Sequence, residues 1–242
     1  MLRAVFIYFL TSLFILLLGV PLLIYSAISG NTDTLYRVGV YCAGLLVRMA
    51  GVRVEVSGRK NIPTGRAAVF MLNHQSTADP PAIAHCLPPV LFLAKKEVFR
   101  IPVLGRAMRL RGFIPVDRSD RSRAIEAVQQ AARALRSGKS FLVFPEGTRS
   151  RDGRLQPFKK GTFIMAIEAG APIVPISLSG ASRVMRKGEW TMRRGVIRVT
   201  FHEPVETEVG DLERVMAKVR EAIIQGLTDE ERPLNEAASR DD

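Results

Sequence analysis

A histidine and an aspartate five positions apart, in Asn73-His74-Gln75-Ser76-Thr77-Ala78-Asp79-Pro80, are the residues of this chain best suited to acid-base chemistry. A neutral imidazole accepts a proton near neutral pH, and a carboxylate on its other nitrogen fixes the tautomer and stabilises the imidazolium. The pair supplies a base and its orienter, but no nucleophile. On an ideal helix five residues turn a side chain about 500°, leaving His74 and Asp79 roughly 140° apart, so they can meet only in a loop. Pro80 supports this, because the residue before a proline is pushed out of the α region while proline itself suits a first helical turn. That places Asp79 at the N-cap of a helix running to about residue 87, and a purely structural role for both residues is the competing reading.

Two further segments set an acid and an arginine beyond an apolar run. In Phe141-Leu142-Val143-Phe144-Pro145-Glu146-Gly147-Thr148-Arg149-Ser150, Gly147 permits a tight turn or close substrate approach. Arg149 can grip a phosphate with its forked donors, and Glu146 can orient that arginine or a hydroxyl. Arg111-Gly112-Phe113-Ile114-Pro115-Val116-Asp117-Arg118 repeats the order, although Asp117 and Arg118 could equally start the following helix. A fourth run, Ile173-Val174-Pro175-Ile176-Ser177-Leu178, carries no strong acid-base group and reads as scaffold or as the wall of an apolar pocket.

The elements that must position these groups alternate along the chain. β-rich runs at 52–56, 67–72, 90–94, 112–116, 140–144, 172–178 and 196–201 are separated by helical stretches, the clearest at 120–136, with others at 158–169 and 211–226. Several strands are apolar throughout, which predicts an α/β fold with a mostly buried mixed or parallel sheet flanked by helices. Ligand sites in such sheets gather beyond the carboxyl ends of strands, where these motifs fall.

Residues 4–28 carry no charged side chain and exceed the roughly 20 residues needed to span a bilayer. A second apolar stretch, 35–52, follows the turn signal Gly30-Asn31-Thr32-Asp33, with Arg37, Tyr41, Gly44 and Arg48 on one narrow stripe. Three units follow: a membrane-associated helical hairpin over 1–51, preferred as monotopic and kinked at Pro21; an α/β domain over 52–226; and a polar tail over 227–242 expected to fray. The formal charge of +12 calls for an anionic partner, and the apolar start makes that an anionic membrane surface rather than nucleic acid. Cys42 and Cys86 form no C-x-x-C pair and suggest neither disulfide nor metal site, consistent with a body facing a reducing cytoplasm. No G-x-S-x-G, P-loop, H-E-x-x-H or G-x-G-x-x-G pattern occurs, which weakens hydrolase, nucleotide and metalloprotease readings.

Taken in order, the Asn-His-x4-Asp, Gly-Phe-Ile-Pro-Val-Asp-Arg, Phe-Pro-Glu-Gly-Thr-Arg-Ser and Val-Pro-Ile segments resemble the four blocks of the glycerolipid acyltransferase family over about residues 52–201. The resemblance implies acyl transfer from a thioester to lysophosphatidate, with His74 as base and Asp79 as its partner. It further implies that Arg118 and residues 144–150, including Glu146, Gly147, Thr148 and Arg149, bind the glycerophosphate, with Lys95, Lys96, Lys159 and Lys160 in support. No bound cofactor or metal is expected; coenzyme A or an acyl-carrier protein would deliver the acyl group, the latter as a possible protein partner. Another lysophospholipid or a glycerol-phosphate-like molecule is the alternative acceptor, and a non-catalytic basic lipid-binding protein is the alternative of another class.

Overall fold

The computed structural model describes residues 2–234. All seven expected strands are present: β1 (Val52–Ser57), β2 (Val69–Leu72), β3 (Val90–Lys95), β4 (Ile114–Val116), β5 (Ser140–Val143), β6 (Ile173–Ser179) and β7 (Gly195–Phe201). They form one sheet in the order β1-β7-β6-β2-β5-β3-β4. β6 and β7 run antiparallel and every other neighbouring pair is parallel, so the sheet is mixed.

The central strands are apolar on both sides because both sides are covered. Phe70 and Leu72 of β2, with Leu142 of β5, face a layer built from α3 (Asp33–Met49), α4 (Asp79–Ala84) and α8 (Ala181–Val184), in which Val47, Ile83 and Val184 are buried. Val69 and Met71, with Phe141 and Val143, face α6 (Arg121–Arg136), α7 (Gly161–Ala169) and α9 (Leu212–Gln225). A period of two with apolar residues at every position is what a doubly covered parallel strand requires. The register Asp120-Arg121 starts α6 as expected, since the Asp120 carboxylate accepts from the amides of Ser122 and Arg123, a cap that contributes about 1 kcal/mol. Two further helices, α5 (Leu104–Arg111) and the short α8, lie outside the helical stretches that the sequence pattern predicts.

The N-terminal apolar stretch is a single run of helix: α1 (Leu2–Phe14), a π-helical turn (Ile15–Gly19) and α2 (Val20–Ser29). The irregularity precedes Pro21, which has no N–H to donate and whose ring crowds the carbonyl one turn back; the wider turn accommodates both. Val5–Ser29 is long and apolar enough to cross a membrane, and 6% of its most apolar stretch is buried. α3 returns beside it and so completes a hairpin, but Val47 and Ala50 also lie in the core of the body. Residue 51 therefore marks a change of composition more than a break in packing. Gly44 is not part of an exposed polar stripe: it is buried, and a Cβ there would meet the His85 ring at 3.3 Å.

The segment after α9 also departs from expectation. Leu227 is buried, and the Glu231 carboxylate, 3% exposed, accepts from Ser179 Oγ at 2.7 Å, Gly180 N at 2.7 Å and Thr228 N at 3.1 Å. With Thr228 Oγ1 as a fourth donor at 3.0 Å, these bonds fasten residues 227–232 beneath the end of β6, where an acid so held has no reason to fray. Residues 235–242, the rest of the expected tail, lie outside the described residues.

Candidate active site

Because β2 through β6 run parallel, their carboxyl ends deliver the motif segments to one end of the sheet. β2 lies between β5 and β6, and the loop that leaves it is fixed residue by residue. Asn73 extends the strand with its side chain: its amide donates to Leu178 O at 2.7 Å and accepts from Leu178 N at 2.8 Å. Ser76 Oγ donates to Met185 O at 2.6 Å and accepts from Ala78 N at 3.0 Å, and Gln75 Nε2 donates to Gly153 O at 2.9 Å. The sequence marks these three residues only as loop context, yet each is buried and each holds the loop by a polar bond.

His74 and Asp79 meet as the spacing requires. His74 Nδ1 lies 2.7 Å from Asp79 Oδ2, which also accepts from Gln75 N at 2.7 Å and Ser76 N at 2.8 Å. An oxygen with two amide donors is an acceptor toward the ring as well, so Nδ1 carries the proton and Nε2 presents its lone pair. Asp79 heads α4 but does not serve as its N-cap; the carboxylate turns back into the loop, and Ala78 occupies the cap position. Burial pushes the Asp79 carboxyl up, against the opposing pull of His74 and of the Ser76 and Gln75 amides. Its Oδ1 has no hydrogen-bond partner among the described residues. The imidazole stacks on Phe144 with ring centroids 3.8 Å apart, and 14% of its side-chain surface remains open.

The third segment wraps this loop from β5. Glu146, 2% exposed, accepts from His74 N at 2.6 Å and Gln156 N at 3.0 Å. Both carboxylate oxygens thus hold backbone amides, and no hydrogen bond joins Glu146 to Arg149 among the described residues, whereas a glycerophosphate contact was the expectation. Burial pushes its carboxyl up to about 8, against the pull of those two amides. The amides of His74, Gln75 and Ser76, natural candidates for an oxyanion site, are thus already occupied by Glu146 and Asp79. Ser150 N closes the wrap by donating to His74 O at 2.8 Å.

Arg149 is brought onto the same loop, where Nη1 donates to Thr77 Oγ1. Gly147 has φ of +69°, a conformation that favours glycine, and a Cβ there would fall 3.0 Å from the Lys159 side chain. That contact gives Lys159 a place beside the third segment. Thr148 is exposed and receives Lys187 Nζ at 3.4 Å, while the same ammonium donates to Arg149 O at 3.0 Å. Lys187 is a site neighbour that nothing in its local sequence marks, because its approach depends on a loop between α8 and β7.

Arg118 stands where partial burial and the like charge of Arg149 lower its pKa, with Glu97 opposing. It remains a cation. Asp117 is instead tied to Lys96 at 2.6 Å and to Ser119 Oγ at 2.6 Å, which hold its carboxyl well below the usual range. Lys96 is therefore engaged at β4, and Lys95 lies 3.5 Å from Glu97. Lys160, expected in a supporting role, pairs with Glu213 of α9 at 2.7 Å.

A sheet that presents a histidine-aspartate loop, a buried glutamate behind it and a pair of arginines in front belongs to a defined class. An acyltransferase family profile matches residues 53–179, and the chain belongs to that family. The 1-acyl-sn-glycerol-3-phosphate acyltransferase of Limnanthes douglasii is 33% identical over 201 residues, covering 81% of this chain and 71% of the relative. The chloroplastic 1-acyl-sn-glycerol-3-phosphate acyltransferase BAT2 of Brassica napus is 36% identical over 66% of this chain and 47% of its own, so the chain spans about half the length of that relative. The crystal structure of the 1-acyl-sn-glycerophosphate (LPA) acyltransferase PlsC from Thermotoga maritima superposes with a TM-score of 0.80 at 29% identity, covering 93% of both chains.

Proposed function

We propose that this chain transfers a fatty acyl group from a thioester, carried by coenzyme A or an acyl-carrier protein, to the free hydroxyl of lysophosphatidate, giving phosphatidate for phospholipid synthesis. The activities for which its relatives are named support the substrate class, and the His74-Asp79 bond carries the mechanism. His74 Nε2 takes the hydroxyl proton as the alcohol oxygen attacks the thioester carbonyl. The C–S bond then breaks, and the departing thiolate recovers a proton from the imidazolium. The acceptor alcohol is the nucleophile, so no acyl-enzyme forms. Arg149 and Arg118 grip the acceptor phosphate and convert a bimolecular encounter into a positioned one. Glu146 and Asn73 hold the loop that carries the base.

The apolar hairpin lies in one leaflet, with the body on its cytoplasmic face. Phe6, Phe9, Leu16, Leu17, Ile24 and Ile28 are all more than half exposed, as residues facing acyl chains rather than protein must be.

The deciding experiment is His74→Ala, assayed in detergent with a labelled acyl thioester and several lysolipid acceptors. Transfer should fall on the order of 10²- to 10⁴-fold with flotation on vesicles unchanged. Near wild-type transfer by that variant removes His74 from the role. Strong activity of the parent on a lysophospholipid without a terminal phosphomonoester, and none on lysophosphatidate, reassigns the acceptor.

A further inference from the structure

Residues 185–194 form a loop that touches two distant places at once. At one end Met185 O receives Ser76 Oγ, and Lys187 Nζ donates to Arg149 O at 3.0 Å, both in the candidate site. At the other, Tyr8 OH of the apolar helix donates to Trp190 O. Met192 and Ile7 are half-buried against the same core cluster. The loop is braced internally by Glu189, which accepts from Arg186 N at 2.9 Å and pairs with both terminal nitrogens of Arg193 at 2.8 and 3.0 Å.

That bracing uses the charge of Arg193 and leaves two other cations exposed. Arg186 and Arg194 make no ion pair among the described residues. Between them Trp190 is 79% exposed, although it is the largest side chain available and sits beside a helix whose own apolar residues face outward. An exposed indole flanked by unpaired arginines, continuous with an apolar helix, has the chemistry of the bilayer interface: the ring sits at headgroup level and the cations meet anionic lipid.

We infer that the Met185 to Arg194 loop is a second membrane contact, in which Trp190 enters the headgroup region of an anionic bilayer while Arg186 and Arg194 bind lipid phosphates. This rests on the hairpin lying in a membrane, and it goes beyond that reading by assigning the loop a separate task. One apolar helix leaves the body free to tilt about it. A second contact, joined to the site by the Ser76–Met185 and Lys187–Arg149 hydrogen bonds, sets the height and tilt of the acceptor-phosphate grip at the headgroup plane, where a lysolipid carries its phosphate.

The chain has one tryptophan, so its intrinsic fluorescence reports on this loop alone. The full-length protein would be bound to vesicles of phosphatidylcholine, with and without phosphatidylglycerol, and binding checked by flotation. Trp190 emission is expected to shift to the blue, to be quenched by lipid brominated near the glycerol end of its acyl chains, and to become protected from acrylamide, more strongly with phosphatidylglycerol. Arg186→Gln with Arg194→Gln should lose the phosphatidylglycerol-dependent increment while still floating. Trp190 that stays open to acrylamide and unquenched by bromolipid in protein that floats would overturn the inference and leave the hairpin reading intact. A blue shift seen only on adding an acidic carrier protein, without vesicles, would also overturn it and assign the loop to a protein partner. Loss of flotation by the unaltered chain would instead defeat the membrane reading on which both depend.

Discussion

The carboxyl ends of β4 and β5 carry the same order of residues, an apolar strand followed by an acid and then an arginine, and the fold uses them differently. Asp117 after β4 lies at the sheet edge, where Lys96 and Ser119 reach it from the surface and hold it ionised. Glu146 after β5 lies beside the central strand, buried under the His74 loop and bonded to two backbone amides. The local pattern is shared, and the strand's neighbours decide its job. An acid beside the strand that bears the candidate base becomes part of that base's mounting; an acid at the edge becomes an ordinary ion-pair partner.

The sharpest break in this comparison is Glu146→Ala against Asp117→Ala. The first leaves two buried amides without an acceptor, about 1 to 3 kcal/mol each, and frees the loop, so melting temperature falls and kcat drops on the order of 10²-fold. An unchanged kcat with a raised KM for lysophosphatidate would return Glu146 to the acceptor grip. The two arginines come next. Arg149→Ala should raise the KM for lysophosphatidate roughly 10- to 100-fold, as loss of a charge-assisted bond of about 1.5 to 3 kcal/mol implies, with a smaller rise for Arg118→Ala. Equal KM values for parent and Arg149→Ala would take the phosphate away from the β5 end.

The pH dependence separates the two acids by sign. Glu146 is raised from an ordinary 4.5 to about 8, so the folded chain keeps that proton longer than the unfolded one and stability from this group falls as pH rises through that window. Urea titrations across it should show the fall in the parent and a flatter profile in Glu146→Gln. Asp117 is lowered, so its contribution is present above the ordinary carboxylate range and is lost only as pH drops below it. The smallest effect is expected for Asp117→Ala at neutral pH, because Lys96 and Ser119, the donors it would release, reach solvent and can be satisfied by water. A loss as large as that of Glu146→Ala would show that the edge acid is also structural.

Much of the fold is legible because each strand is a short apolar run between turn signals, and because two-sided burial leaves few alternatives. The His74-Asp79 contact is legible because spacing and Pro80 force a loop. What stayed hidden depended on neighbours in space. Glu146 could be assigned its amides only once β5 was known to lie against β2. Lys187 reaches Arg149 across a loop whose course no local pattern encodes. Gly44 reads as part of a polar stripe until α4 is seen to press His85 against it, and residues 227–232 read as loose until Glu231 is found beneath Gly180. Such facts are statements about pairs of segments, and a single chain read locally contains only one member of each.

The stacking of His74 on Phe144 bears on how the proposed reaction conserves protons. With Nδ1 held by Asp79 and one ring face covered at 3.8 Å, the imidazole has a single working nitrogen and no freedom to turn over. The proton that leaves the alcohol and the proton that ends on the thiol therefore pass through the same atom in opposite directions, and the reactants and products carry the same number of them. A base that returns what it takes within each turnover needs no relay to bulk water, so this site can sit against acyl chains where no such relay exists.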